Sequence, residues 1–433
     1  MNFSMQLIVL FDACGTGNLM MQIFSNIVFL YKLNVFFRKA NDMRSVLLIV
    51  LTILLASCSK TSIPPTETPI DSSAVMSKGM TPLPSPLHRN YGSGKFNRVA
   101  VELTNGTILV AGGYTYDDMS RKWGQLPTEI YDTTTKKWTE LPPLVKGTQS
   151  QDKIFLLNDG RVFFKYGITA DGVSLDEGLF YFSIFNPTTK TWEMKYNPAS
   201  FTDRSPIQDC CLLPDGTVFI LATDYHYVWN PWSDTYTEKV NNKYDATSAR
   251  CVRLANGEVL VCGGKGSGST TPTDYCFLYP SYKTCRMLSR KSVIDLVATD
   301  DNKAYILVKG NEKSNGTQYS SPYQYYDYAT NSWNAINTNL TTDGYGVSQG
   351  SVVFPSNKCF VMSEGFGAVA FSVFDFTTQK VIPNRIFEYS VAPIAKKLAL
   401  FIRLRTGKIF VLGYDPSGKL PECYLYDSRV DYP

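Results

Sequence analysis

The chain has 433 residues, 44% hydrophobic and 18% charged, a balance that suits a large folded core and excludes a disordered chain. A formal charge of +4 is small for this length, and two histidines in all leave no histidine-rich metal site, so neither a nucleic-acid footprint nor a strongly acidic surface is expected. Aromatics reach 13%, with 27 Tyr and 25 Phe, residues that favour strands.

In chain order, residues 1–42 carry an apolar stretch from Leu19 to Phe37 broken by Lys32 and asparagines. They are expected to be a mis-assigned leader ahead of a true start at Met43. Residues 43–57 have the form of a secretion signal: Arg44, an apolar run from Val46, then small residues. The run is short of the ~20 residues that span a bilayer. Its end, Leu55-Ala56-Ser57-Cys58, resembles a bacterial lipobox, which implies cleavage before Cys58 and a diacylglyceryl thioether on its sulfur. Ser59, in place of Asp, points under the enterobacterial sorting rule to the outer membrane. Residues 58–79, rich in Pro, Ser and Thr, read as a flexible tether. The expected location is the bacterial cell envelope, with the N-terminal lipid in the membrane. Beyond residue 57 the chain keeps 38 basic and 36 acidic residues, close to neutral.

Residues 80–433 repeat. A turn signal between two apolar runs recurs seven times: Asn105-Gly106, Asp159-Gly160, Asp215-Gly216, Asn256-Gly257, Asn302-Lys303, Asn357-Lys358 and Thr406-Gly407. Asn-Gly and Asp-Gly tolerate positive φ, so each is read as a two-residue β-turn. Seven residues later a glycine stands at Gly113, Gly167, Gly264, Gly310 and Gly365, doubled as Gly112-Gly113 and Gly263-Gly264, with Thr223 and Tyr414 in the other two copies. Further on, an aromatic and a bulky residue are seven apart: Tyr131 and Trp138, Phe185 and Trp192, Trp229 and Tyr236, Tyr326 and Trp333, Phe374 and Val381. Repeat four is read one residue shorter, from Tyr279 to Cys285.

Hairpin turn, Gly-Gly, aromatic plus Asp or Asn, then Trp: this arrangement resembles the kelch repeat over residues 80–433. The resemblance implies an all-β, seven-bladed propeller with one four-stranded blade per repeat. Repeat one runs on into Leu141-Pro142-Pro143-Leu144, an outermost strand that repeat seven lacks before the chain stops. The matching Pro82-Leu83-Pro84-Ser85-Pro86-Leu87 lies at the domain's start and is expected to supply that last strand.

Eight cysteines follow Cys58. A two-residue turn at Asn256-Gly257 would set Cys251 directly across from Cys262, as a disulfide or as two buried thiols. No Cys-x₂₋₄-Cys spacing suggests zinc. Gly263-Gly264-Lys265-Gly266 lacks the Gly-Lys-Ser/Thr ending of a phosphate loop and reads as a hairpin loop. Tyr225-His226 is similar to the adjacent Tyr-His ligand pair of the copper radical oxidases, themselves kelch-like propellers, but the second histidine, His88, lies in the N-terminal segment. No cofactor and no metal are therefore expected. In the implied propeller, the loops 114–128, 168–179, 265–274 and 311–322 share one face, the first holding Tyr114 and Trp123. Arg98, Asp152, Asp209, Arg250, Asp295 and Gln349, at the starts of the innermost strands, should ring the channel there. They are candidates for a polar pocket with Trp123 or Tyr114 as a stacking platform. Two functions fit: a monomeric envelope module binding a glycan or protein, or an exported sugar mutarotase or epimerase of the sialic-acid mutarotase kind.

Overall fold

The computed structural model describes residues 79–88, 98–117, 122–144, 153–166, 181–196, 206–242, 245–265, 273–288, 293, 296–306, 313–314, 317–318, 323–336, 352–354, 357–365, 368–382, 400–412 and 423–431. The leader, signal and Cys58, and all of the tether but its last residue, lie outside them.

Blade 1 runs through Arg98–Glu102, Ile108–Gly112, Thr128–Asp132 and Lys137–Leu141, and blade 2 through Lys153–Leu156, Val162–Lys165, Tyr181–Asn186 and Thr191–Tyr196. Blade 3 is Ile207–Leu212, Val218–Ala222, Tyr225–Asn230 and Thr235–Asn241; blade 4 is Arg250–Arg253, Val259–Cys262, Tyr275–Tyr279 and Thr284–Arg286. Blade 5 comprises Val297–Ala298, Lys303–Ile306, Gln324–Asp327 and Ser332–Ala335, and blade 6 Val352–Phe354, Lys358–Gly365, Ala368–Asp375 and Lys380–Ile382. Blade 7 takes Leu400–Arg403, Ile409–Leu412 and Cys423–Tyr426 from the end of the chain and Met80–Leu83 from its start. The chain is thus the expected seven-bladed propeller, closed by the strand Met80–Leu83, with the first strands in contact from blade 1 through blade 5 and from blade 6 through blade 7 back to blade 1.

The core sits between blades, which explains why second strands such as Ile108–Gly112 and Val218–Ala222 are apolar along their whole length: both of their faces are covered. Ala100, Ile108, Val110 and Tyr131 of blade 1 pack on Leu404, Phe410 and Leu412 of blade 7. The repeated aromatic pairs are direct cross-strand neighbours, Tyr131 with Trp138, Phe185 with Trp192, Trp229 with Tyr236 and Tyr326 with Trp333. The Asp or Asn after each aromatic caps the four-residue turn beyond it. Asp132 Oδ1 accepts from the Thr134 and Thr135 amides at 2.8 and 3.1 Å, and Asn186, Asn230 and Asp375 repeat the device.

The first turn of blades 1 to 5 and 7 is one residue longer than expected. Leu254 N–H donates to Glu258 O at 2.8 Å and Gly257 N–H to Leu254 O at 3.0 Å, closing a three-residue loop whose last member, Gly257, has φ +91°. Asn302 and Asn357 take that left-handed position in blades 5 and 6, rather than the lysines that follow them. The extra residue slips the register by one, and a one-residue slip changes faces. Cys251 therefore pairs with Val261 and looks toward blade 3, while Cys262 pairs with Cys276 and looks toward blade 5. Of the two alternatives for Cys251 and Cys262 the structure has the second, two buried free thiols, though not directly opposed, and a disulfide joins Cys276 to Cys285 across the next strand pair. In the same blade Phe277 faces Thr284, so the repeated aromatic is Phe277 and not Tyr279.

Closure is reinforced beyond the strand pairing. The Arg98–Glu129 ion pair, 2.5 Å long, has side chains only 1% and 0% exposed, and Glu129 Oε1 accepts from the Leu87 and His88 amides at 2.7 and 3.2 Å. Trp138 Nε1 donates to Pro84 O at 2.8 Å. At the other end of the seam Arg405 donates its amide to Glu102 at 2.6 Å and its guanidinium to the Leu103 and Thr104 carbonyls.

Candidate functional site

Lys153, Asp209 and Arg250 stand at one level, each six residues before the middle residue of its turn (Asp159, Asp215, Asn256), on the innermost strands of blades 2, 3 and 4. A β-bulge between Ile207 and Asp209 makes the arrangement possible. Gln208, the extra residue, donates to the Oγ1 of Thr223, which stands where other repeats have their glycine, at 2.9 Å and accepts from the Ser248 amide at 2.9 Å. The bulge re-aims Asp209 so that its carboxylate spans three blades. Oδ1 accepts from Lys153 Nζ at 2.8 Å and Oδ2 from the Cys251 amide at 2.9 Å.

Lys165, 1% exposed, pairs in register with Lys153 on the adjacent strand. Like charges directly opposed in a sheet repel, which makes this pair a poor choice for stability alone. Burial by itself would raise the Asp209 carboxyl, but Lys153 above all, then Arg250, Lys165 and the Cys251 amide, hold it below the ordinary carboxylate range. Burial opposes the charge on Lys153, yet Asp209 raises its ammonium above the usual lysine range. Beneath them burial pushes the Cys210 thiol up to about 12 and raises Cys251 as well, so neither thiol is an activated nucleophile. Among the described residues, Lys153, Lys165 and Arg250 all act on the Asp209 carboxylate, and Lys153, with 37% of its side chain exposed, opens the cluster to solvent. Its chemical capability is to hold an anion by charge-assisted hydrogen bonds.

The structure thus unites Asp209 and Arg250 from the expected ring. Arg98 departs from that ring: it lies under Gly113 and binds Glu129, Pro127 O and His88 O within the blade 7 to blade 1 seam. A Cβ on Gly113 would come within 2.8 Å of Arg98 Cγ, and φ there is +90°, so this glycine exists to let the arginine pass. Asp152, Asp295 and Gln349 lie outside the described residues. Tyr114 and Trp123 lie on a two-stranded ribbon, Tyr114–Asp117 with Lys122–Gln125, with Tyr116 opposite Trp123; their side chains are outside the described residues. Lys153 and Lys165 were not anticipated. The signal for Lys153 was its adjacency to Asp152, and for Lys165 a lone lysine ending the apolar strand Val162–Lys165.

No family model and no curated protein matches the sequence. Solved structures do share the fold. A fungal alcohol oxidase of the AA5 family, in complex with copper, aligns with TM-score 0.51 and 14% identity, covering 82% of this chain and 76% of that one. YjhT aligns with TM-score 0.46 and 15% identity, covering 70% of this chain and 99% of that one. At 14% identity the likeness to the oxidase shows the propeller fold alone.

Tyr225-His226 does not form part of a copper ligand set among the described residues. His226 lies between blades 3 and 4, with Nδ1 2.9 Å from Asn242 Oδ1 and Nε2 3.1 Å from Tyr282 OH. Among the described residues no three His, Cys, Asp or Glu side chains converge as a ligand set.

Proposed function

We propose that the chain is a binding propeller of the bacterial cell envelope, held by a lipid on Cys58, that takes the carboxylate of an acidic glycan at the Lys153–Asp209–Arg250 cluster. The carrying observation is the meeting of Lys153, half-exposed, with Lys165 and Arg250 at the Asp209 carboxylate on neighbouring strands of blades 2 to 4. A mutarotase working through these groups would need protonation changes near neutrality. Asp209 and Lys153 are both driven away from that range, which favours binding over catalysis.

Calorimetric titration with glucuronate and N-acetylneuraminate should show binding that falls with added salt and that glucose does not reproduce. Lys153→Met should weaken it about tenfold to a hundredfold, the worth of one charge-assisted hydrogen bond. Equal affinity in the variant, or no heat with either acid, would overturn the reading. NMR of freshly dissolved N-acetylneuraminate should show unchanged anomer exchange; acceleration would replace binding with catalysis. For the anchor, Cys58→Ser should abolish palmitate labelling and release the protein from membranes, and retained labelling would refute lipidation.

A further inference from the structure

The turn between the third and fourth strands of blade 3 departs from the repeat. In the capped turns of blades 1, 2, 5 and 6 the first amide held by the Asp or Asn belongs to a small residue, Thr134, Thr188, Ala329 or Thr377; in blade 3 it belongs to Trp232. A turn tip has no core to offer so large a ring, and Trp232 stays 54% exposed. The ring lies against Gly216, in the turn that follows the inner strand Ile207–Leu212, at the far end of that strand from Asp209.

The ring is seated in place. A Cβ on Gly216, where φ is +84°, would collide with Trp232 Cη2 and come within 2.6 Å of Asn158 Nδ2, so the indole and the Asn158 amide meet over a residue that has to be glycine. The matching Gly160 and Gly257 meet only Thr104 and Pro214. The indole N–H is also free. Trp138, Trp192, Trp229 and Trp333 donate theirs to Pro84 O, Thr128 Oγ1, Asp234 Oδ1 and Cys276 Sγ, at 2.8, 2.9, 3.0 and 3.2 Å. Trp232 Nε1 and the Asn158 carboxamide have no hydrogen-bond partner among the described residues.

We infer that Trp232 is the stacking platform of a second ligand site, for a neutral pyranose, on the turns of blades 2 and 3. The exposed ring receives the C–H side of the sugar, while the indole N–H donates to one hydroxyl and the Asn158 oxygen accepts from another. The neighbouring charges answer one another, Arg161 with Asp159 at 2.7 Å and Asp234 with Lys195 at 2.8 Å, and leave no counter-ion for a charged ligand. A protein partner would need a wider apolar centre. The other exposed large apolar side chains among the described residues, Leu87, Tyr282, Leu288 and Val430, all lie outside blades 2 and 3. A single sugar ring needs no more than one aromatic face with polar groups at its edge. The platform uses no part of the cationic cluster.

Saturation-transfer NMR with methyl β-D-glucopyranoside and methyl β-D-galactopyranoside tests it, alongside titrations that follow the indole N–H resonances. At least one glycoside should receive transfer on its ring C–H protons and shift the Trp232 indole resonance, which Trp232→Thr identifies by its absence. Trp232→Thr installs the residue that blades 1, 2 and 6 carry at this position and should fold normally, with affinity down about tenfold or more. Trp232→Phe keeps a ring without the N–H, and its affinity should fall between those of the parent and Trp232→Thr. Asn158→Ala should weaken binding about threefold to tenfold, the worth of one hydrogen bond. No transfer from either glycoside, an unmoved Trp232 resonance, undiminished binding in Trp232→Thr or Asn158→Ala, or a Trp232→Phe that binds no better than Trp232→Thr would each overturn the inference.

Discussion

Asp209→Asn should lower the unfolding free energy by about 3–5 kcal/mol, the cost of leaving buried charge without its partner. The carboxylate is 7% exposed on its side chain and is the counter-ion that Lys153, Arg250 and Lys165 share. The amide that replaces it can still face the Cys251 N–H through its oxygen, so the loss isolates charge from shape. The pH dependence has a definite sign. Because the folded carboxyl lies below its unfolded value, its stabilisation is complete above about pH 4 and is lost as pH falls through the folded value. Denaturant midpoints across the acid range should show a declining limb in the parent that flattens in Asp209→Asn. Lys153 works in the opposite sense, its contribution full below the ordinary lysine range and lost only as strong alkali reaches its raised value.

Arg98→Met should be as costly, about 3–5 kcal/mol, for a different element of the fold. Glu129 would stay wholly buried with its charge unanswered while still holding the Leu87 and His88 amides. Relief by rearrangement would release the segment that follows Met80–Leu83, and with it the outer edge of blade 7. An unpaired edge strand recruits other chains, so unfolding should become irreversible and concentration-dependent. The double variant Arg98→Met with Glu129→Gln should regain part of the loss, because removing both charges leaves none stranded. A double variant no more stable than Arg98→Met alone would show that the arginine acts by packing.

The architecture was legible because it is written seven times. Positions such as Tyr131, Trp138 and Asp132 recur at fixed offsets, and the apolar second strands announce burial on both faces. Register was less legible. Asn256-Gly257 serves a two-residue and a three-residue turn equally well, and the longer turn sets Cys251 opposite Val261 rather than Cys262. The candidate site was half visible. Repeat symmetry found Asp209 and Arg250, but the bulge at Gln208 is a local departure from symmetry, and it decides where Asp209 points. Arg98 looked equivalent to them until its partner was known, and that partner lies in the third strand of the same blade, where spacing gives no hint of it.

The pairing of Met80–Leu83 with Cys423–Tyr426 also sets an order of events in biosynthesis. The first strand of the propeller to be made is the last to be used, since its partner, Cys423–Tyr426, is the last of the propeller's strands in sequence order. Six blades can assemble from local hairpins as the polypeptide emerges, but the seventh joins two distant segments and must wait until both have been made. Loss of Cys423–Tyr426 would therefore cost more than one strand, because Met80–Leu83 would be left with no partner to close the ring.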